Sequence, residues 1–298
     1  MRPSARSATA LIGAGRLARA LHAVLLDAGY DVIAVASRRL SAARRLVRGS
    51  GGVATTDPGT AARDARLVLL AIPDGAIAGV ARGLADDRRD WRGSTVLHHA
   101  GALGLRPLRP LARAGARVGV LHPLQSLGAN RVAPTLLAGS YARVEGAPLA
   151  TRLARDLGLI PLHLPAPVTP AKRAAYHAAA SLLSNDLLAL LAGGVELLES
   201  AGLRRRQALL VLAPLIRGTV AQATGAGLGA ALTGPVVRGD IDTLEGHLRR
   251  LQRVSPDLAE AHRRLSSRLV DLARREGLSI PRDVERRIAR LRAPGGEE

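Results

Sequence analysis

The residues whose types and spacing suit chemistry begin with Gly13-Ala14-Gly15-Arg16-Leu17-Ala18, a GxGxxA run. Gly13 permits a tight turn, Gly15 lets backbone approach a pyrophosphate, and small Ala18 lets a following helix pack closely on a strand. The start of that helix offers free N–H groups and the positive end of its dipole to phosphate. Downstream, His177, Ser181 and Asn185 are spaced i, i+4, i+8, which places them on one face of a helix. A polar stripe of this kind in an Ala/Leu-rich helix can hydrogen-bond a carbonyl oxygen and supply a proton, or make a polar contact between helices. Lys172 is an alternative proton donor, one turn too early to share the stripe.

The end of the second strand selects among dinucleotides. An acidic residue there binds the ribose hydroxyls of NAD. Ser37-Arg38-Arg39 stands in that place. Arginine grips a 2′-phosphate through charge-assisted hydrogen bonds, so the expected cofactor is NADP; the bland alternative is a solvated basic turn. Ile72 and Pro73, in Ala71-Ile72-Pro73-Asp74, end a strand on the ligand side and are expected at the nicotinamide edge.

His98, His99 and His122 fall at or after the carboxyl ends of expected strands. His98 and His122 are expected to shape a substrate cleft, with hydrogen-bonded structural histidines as the alternative. Their spacing matches no metal-binding motif, and no metal is expected. Thr233 and Arg238, in Thr233-Gly234-Pro235 and Arg238-Gly239-Asp240, bracket a loop that suits a carboxylate or serves as a plain interhelical turn. Asp240 is expected to cap the next helix.

The elements that must position these residues alternate. Strands are expected at 8–12, 31–36, 67–72, 95–98 and 118–121, with further strands at 140–145 and 159–164. Helices are expected at 16–28, stopped by Gly29, at 40–47, at 74–85 with Asp74 as cap, and at 103–114, interrupted by prolines. This alternation implies a parallel sheet covered on both faces. Pro161, Pro165, Pro167 and Pro170 then form a linker, and Thr169-Pro170 is a good helix start. Helices follow at about 171–200, 204–223, 240–252, 256–276 and 282–292, and the last residues are expected to fray. The fold class is therefore a Rossmann-type doubly wound α/β domain over 1–165, followed by an all-α substrate and dimerisation domain over 166–298.

Composition narrows the function. The net charge is +19, but Lys172 is the only lysine, and the arginines are dispersed among many helices with no dense basic tail. Abundant Arg, Ala, Gly and Leu fit the codon bias of a GC-rich genome. There is no phenylalanine and one tryptophan, Trp91, so base-stacking platforms lack their usual residues and nucleic acid is not expected as a partner. The absence of cysteine excludes disulfides and thiolate chemistry and fits a cytoplasmic protein. No uninterrupted apolar run reaches the roughly 18 residues of a membrane span, and the basic first seven residues are too short for a secretory leader.

The motifs GAGRLA, AIPD, LHHAGAL, LHPLQSL, YHAAASLLSN and LTGPVVRGD, in this order, resemble bacterial Rossmann-like proteins with a C-terminal domain of unknown function 2520. These lie in the superfamily of pyrroline-carboxylate reductase, ketopantoate reductase and 6-phosphogluconate dehydrogenase. The resemblance implies an NADP-linked oxidoreductase, dimeric through its helical domain, acting by hydride transfer on a small keto acid or imine in an interdomain cleft. Asn185 would orient the substrate and His177 or Ser181 would polarise or protonate it. A nucleotide sensor or interaction protein without turnover is the alternative, and the absence of a lysine from the stripe motivates it.

Overall fold

The computed structural model describes residues 6–87, 90–128, 137–280 and 286–287. The helix expected at 282–292 and the chain end therefore lie outside the described residues, save 286 and 287. The chain forms two compact units, Met1–Ser184 and Asn185–Glu298.

The first unit is built on eight strands: β1 Arg6–Ile12, β2 Tyr30–Ala36, β3 Val53–Thr55, β4 Leu67–Leu70, β5 Thr95–His98, β6 Arg117–Pro123, β7 Tyr141–Gly146 and β8 Ile160–Leu162. Their order in the sheet is β3-β2-β1-β4-β5-β6-β7-β8. The first six follow the doubly wound order in which ligands bind beyond the carboxyl ends of the strands. All neighbours pair in parallel except β6 and β7, which are antiparallel. The sheet is thus parallel, as expected, but for this one pair. That pairing sets His122 directly opposite Arg143 on one face of the sheet.

Strand alternation divides the core. Leu11, Leu67, Leu69, Leu97 and Leu121 point to one side, where they meet α1 (Arg16–Asp27), α2 (Leu40–Val47) and α6 (Pro148–Asp156). Ala10, Ile12, Val68, Leu70 and Val96 point to the other, against α3 (Pro58–Ala62), α4 (Asp74–Asp86) and α5 (Arg109–Arg113). With no phenylalanine, the large core residue is Trp91, fully buried with its indole N–H donated to the Leu84 carbonyl at 3.2 Å. Gly29 ends α1 at φ +77°, as expected of a left-handed stop. Pro73, not Asp74, occupies the N-cap of α4; Asp74 is its first residue, where its charge still faces the positive end of the dipole.

The last helix of the first unit is α7 (Pro170–Ser181), capped by the Thr169 hydroxyl, which accepts from the Lys172 N–H at 3.3 Å. A π-helical turn, Leu182–Asp186, follows and straddles the unit boundary.

The second unit holds α8 (Leu187–Ser200), α9 (Arg205–Ala226), the short α10 (Leu228–Ala231) and α11 (Pro235–Arg238), α12 (Ile241–Val254) and α13 (Pro256–Arg275). Asp240 caps α12 as expected, accepting from the Thr243 N–H at 3.1 Å. Its cores are small, one around Ile241, Leu244 and Val270, the other around Leu248, Leu251 and Ala259. Leu183, Leu188, Leu210 and Leu215 are more than 60% exposed. Among the described residues, two helical stretches, Pro170–Ser200 and Arg205–Ala226, are long and apolar enough to cross a membrane by length and composition. They escape a search for uninterrupted apolar runs because Lys172, Arg173, Asp186, Glu196 and Arg217 punctuate them.

Candidate functional site

The glycine turn leaves β1 at the carboxyl edge of the sheet. Gly13 adopts φ +120°, donates its N–H to the Ala36 carbonyl at 2.8 Å, and lies so close to the Ala71 carbonyl that a Cβ would overlap it. Glycine at 13 is thus demanded from within, by the packing of β1 against the end of β4. Gly15 is different. It is the N-cap of α1, and a Cβ there would meet nothing of the protein within 4 Å. Ala14 packs against the core, and Arg16 and Leu17 open the helix, so their N–H groups have no acceptor within it. Ala18 is fully buried, as close helix–strand packing requires.

Ser37, Arg38 and Arg39 follow β2 beside this turn. The Ser37 N–H is donated to the Thr55 carbonyl at 3.0 Å, which ties the turn to β3, and both arginines are exposed. Ile72 and Pro73 follow β4, next in order along the same edge.

Beyond them, the loop after β5 is built on histidine. His98 is buried, with Nε2 at 2.9 Å from the Gly104 carbonyl and Nδ1 accepting from the Ala100 N–H at 3.1 Å. Both ring nitrogens therefore serve the backbone of the loop that carries Gly101, and burial lowers the pKa of the ring. His99 is buried on the opposite side of the chain and pairs Nδ1 with the Leu121 carbonyl; burial pushes its pKa down to about 3.

Arg143 holds this loop. Its guanidinium is about 1% exposed, pairs with Glu145 at 2.6 Å, and donates to the carbonyls of Leu103 at 2.7 Å and Ala100 at 3.2 Å. Glu145 also receives Arg173 of α7 at 3.2 Å, and the Arg173 guanidinium lies against Gly104, where a Cβ would displace it. The Arg143 guanidinium further lies 5.9 Å from the centre of the Tyr176 ring. One buried cation thus joins β7, the histidine loop and α7.

His122 and His177 meet over Gly101. A Cβ on that residue would overlap His177 Nδ1 and come within 3.0 Å of His122 Nε2. The two rings are edge-on, with centroids 6.1 Å apart. On its other side, His122 Nδ1 lies 3.0 Å from the Tyr176 hydroxyl. Burial first, then the charge of Arg143 and the proximity of His177 and His98, push the His122 pKa down to about 4. The imidazole is therefore neutral near pH 7.

Of the expected stripe, His177 lies in this cluster and Ser181 ends α7 four residues on. Asn185 lies within the π-helical turn and belongs to the second unit, so α-helical spacing does not relate it to the other two. Lys172 donates Nζ to the Pro165 carbonyl at 2.8 Å and so secures the linker to α7. Thr233 precedes Gly234, the N-cap of α11, and Arg238 is the last residue of that helix; both lie in the second unit and are exposed. Sequence reasoning missed Arg143, Glu145, Arg173 and Tyr176. The available signal was the pair Arg143 and Glu145, opposite charges two apart on one face of a strand.

His99 and His122 give a pH dependence. Their folded pKa values lie below the unfolded value, so the unfolded chain binds more protons between about pH 4 and pH 6.5. Stability is then present above pH 6.5 and lost as pH falls towards 4, by up to about 1.4 kcal/mol per pH unit per histidine. Urea unfolding from pH 7 to pH 4.5 is expected to show this fall, and His99→Gln to flatten its share. Arg143→Ala leaves Glu145 half-paired and two buried carbonyls without donors. A loss of about 3–5 kcal/mol is expected in urea unfolding at pH 7.

Comparison with known proteins agrees with this architecture. The family described as Rossmann-like domain matches residues 1–123, and the domain of unknown function DUF2520 matches residues 139–269. No curated protein matches the chain. Solved structures do. A Bacteroides fragilis protein assigned as an NADP oxidoreductase is 24% identical, with a TM-score of 0.73 over 89% of this chain and 98% of its own. A pyrroline-5-carboxylate reductase from Coxiella burnetii is 19% identical, with a TM-score of 0.58 over 91% and 98%. A reductive aminase from Aspergillus terreus, in complex with NADPH, is 18% identical, with a TM-score of 0.62 over 96% and 100%. At these identities the likeness is one of fold. The chain thus carries a Rossmann-like domain followed by a DUF2520 domain.

Proposed function

We propose that this protein is an NADP-dependent oxidoreductase that reduces the C=O or C=N bond of a small keto acid or imine. The observation that carries this reading is the contrast between the two glycines of the turn. Gly13 is required by the protein's own packing, whereas Gly15 stands open at the head of α1, a cradle that any Cβ would narrow. Its fit is to a pyrophosphate resting on the first-turn N–H groups of Arg16 and Leu17. Arg38 and Arg39, exposed at the end of β2, suit a 2′-phosphate, and the NADP assignment of the Bacteroides protein and the NADPH complex of the Aspergillus enzyme support the same cofactor.

When bound, NADPH supplies hydride. The chain's own residues do the rest. Ile72 and Pro73, between the glycine turn and the histidine loop, wall the nicotinamide edge. His122 and His177, converging on Gly101, hold the oxygen or nitrogen of the reducible bond. Arg143 keeps the loop that carries Gly101 in place.

Fluorescence titration of NADPH and NADH is the direct test. NADPH is expected to bind more tightly, and Arg38→Ala with Arg39→Ala to weaken it about 10- to 100-fold while leaving NADH unchanged, as the loss of one or two charge-assisted bonds predicts. Equal affinities, or no binding of either, would overturn the assignment. NADPH oxidation with a panel of 2-oxo acids and cyclic imines then tests reduction itself. Binding without turnover across the panel would favour a nucleotide sensor.

We also propose that the helical half forms a homodimer. The leucines exposed on α8 and α9 exceed what a monomer ordinarily leaves in water. Exposed Glu196 and Arg217 lie among them, charges that a bilayer core accepts poorly and a protein interface tolerates at its rim. Sedimentation at micromolar concentration should give a dimer, and Leu210→Glu with Leu215→Glu a monomer. Partition of the wild-type chain into liposomes would overturn this.

A further inference from the structure

The pairing of His122 with Tyr176 goes beyond the assignment of a reductase and rests on it. A neutral imidazole that gives up its only ring proton becomes an imidazolate, which is far too basic to form near pH 7. His122 is neutral, since burial, Arg143, His177 and His98 all oppose a second proton on it. It can donate from one nitrogen only if the other gains a proton in the same step.

Tyr176 meets that need. Its hydroxyl lies 3.0 Å from His122 Nδ1. The backbone of Arg143 also interacts with the phenol and favours its anion, which suits the phenol O–H as the donor of this bond. Nδ1 is then the acceptor, and the single ring proton sits on Nε2, the nitrogen aimed at the space over Gly101. The phenol is kept protonated at rest by burial, while the Arg143 charge favours its anion. Arg143 itself lies 5.9 Å from the ring centre. Of the other groups near the pair, His177 faces Gly101 from α7, His98 is committed to backbone, and Glu145 and Arg173 pair with each other beyond Arg143.

We infer that Tyr176 and His122 form a concerted two-proton relay to the substrate, with His122 Nε2 as the donor and Tyr176 as the positioning residue that reloads it. As the substrate's carbon accepts hydride, its oxygen or nitrogen takes the proton from Nε2. That N–H bond breaks and an O–H or N–H bond forms on the product. The imidazole takes the phenol proton at Nδ1, the tyrosine O–H bond breaks, and the negative charge rests on the phenolate beside Arg143. The imidazole stays neutral throughout, and solvent later returns one proton to the pair. The relay explains why a histidine with its pKa pushed down can serve as an acid near pH 7, where a lone imidazolium is scarce.

The test has a readout independent of turnover. In the full chain labelled with 15N-histidine, His122 is assigned by comparison with His122→Gln. Its two-bond 1H–15N pattern at pH 7 should show a single neutral tautomer protonated at Nε2, and Tyr176→Phe should replace it with a mixture. A wild-type ring protonated at Nδ1 would overturn the relay. With NADPH and a cyclic imine or 2-oxo acid that the wild type reduces, Tyr176→Phe should lower kcat about 100-fold at pH 7, within the usual range for general acid catalysis, and leave the KM for NADPH unchanged. Its residual rate should rise about tenfold per pH unit between pH 8 and pH 6, since His122 must then take its second proton from solvent. The wild-type rate should stay flat over that range. A Tyr176→Phe enzyme with the wild-type kcat and pH profile would refute the relay. If the wild type carries the Nε2 tautomer yet reduces no compound of the panel, it is the reductase assignment that falls.

Discussion

Arg143 carries a full positive charge at about 1% exposure, on a strand in the middle of the first unit. A buried guanidinium of this kind is tolerable only where most of its donors are met, and here Glu145 and the carbonyls of Ala100 and Leu103 take its two terminal nitrogens, while Nε is left without an acceptor among the described residues. The rest of the site follows from that requirement. The loop after β5 must bend to present two carbonyls to the cation. That bend brings Gly101 up to His122, whose strand pairs in register with that of Arg143. Glu145 is then shared with Arg173, which draws the start of α7 onto the loop, and α7 delivers Tyr176 and His177. Remove the cation and the loop keeps only its ties to His98, while α7 loses the carboxylate shared through Glu145.

Charge also tunes the groups it assembles. Arg143 lies close enough to His122 to disfavour an imidazolium and close enough to Tyr176 to favour a phenolate. These effects have opposite consequences for proton transfer when each residue is considered alone. Taken together they are consistent: the imidazole is prevented from storing a second proton, and Arg143 offsets part of the burial that holds the phenol protonated, so the proton belongs to the pair.

Much of the scaffold was legible in the sequence, because it rests on local pattern. β1, α1, β2 and α2 are continuous periodic segments bounded by glycines, and the turn at Gly13 needs only neighbours in the chain. β3 and α3 were not legible. Three residues carry too little alternation to read, and a five-residue helix held by the Asp57 cap has barely more than one turn. The antiparallel β7 was legible as a strand but not in direction, since alternation is the same either way along the chain. The π-helical turn at Leu182–Asp186 was hidden because Leu-Leu-Ser-Asn-Asp suits an ordinary helix, and it removes the basis for relating Asn185 to His177 by spacing.

The site itself was half legible, and the division has a physical cause. Histidine is the side chain that titrates near neutral pH, so His122 and His177 stood out as types, and strand ends and helical spacing gave them plausible places. Arginine is so common here that Arg143 and Arg173 carried no compositional signal at all. What distinguishes Arg143 is burial, and burial is a property of the assembled sheet, decided by β7 lying beside β6 rather than by anything in Tyr-Ala-Arg-Val-Glu-Gly alone. The same holds for Tyr176: as one residue of a helix it reads as ordinary apolar surface, and only the 3.0 Å approach to His122, across 54 residues of chain, gives its hydroxyl a task. Residues that act through their own nitrogen or oxygen can be found by type, whereas residues that act by setting another's charge become visible only when the fold has placed them.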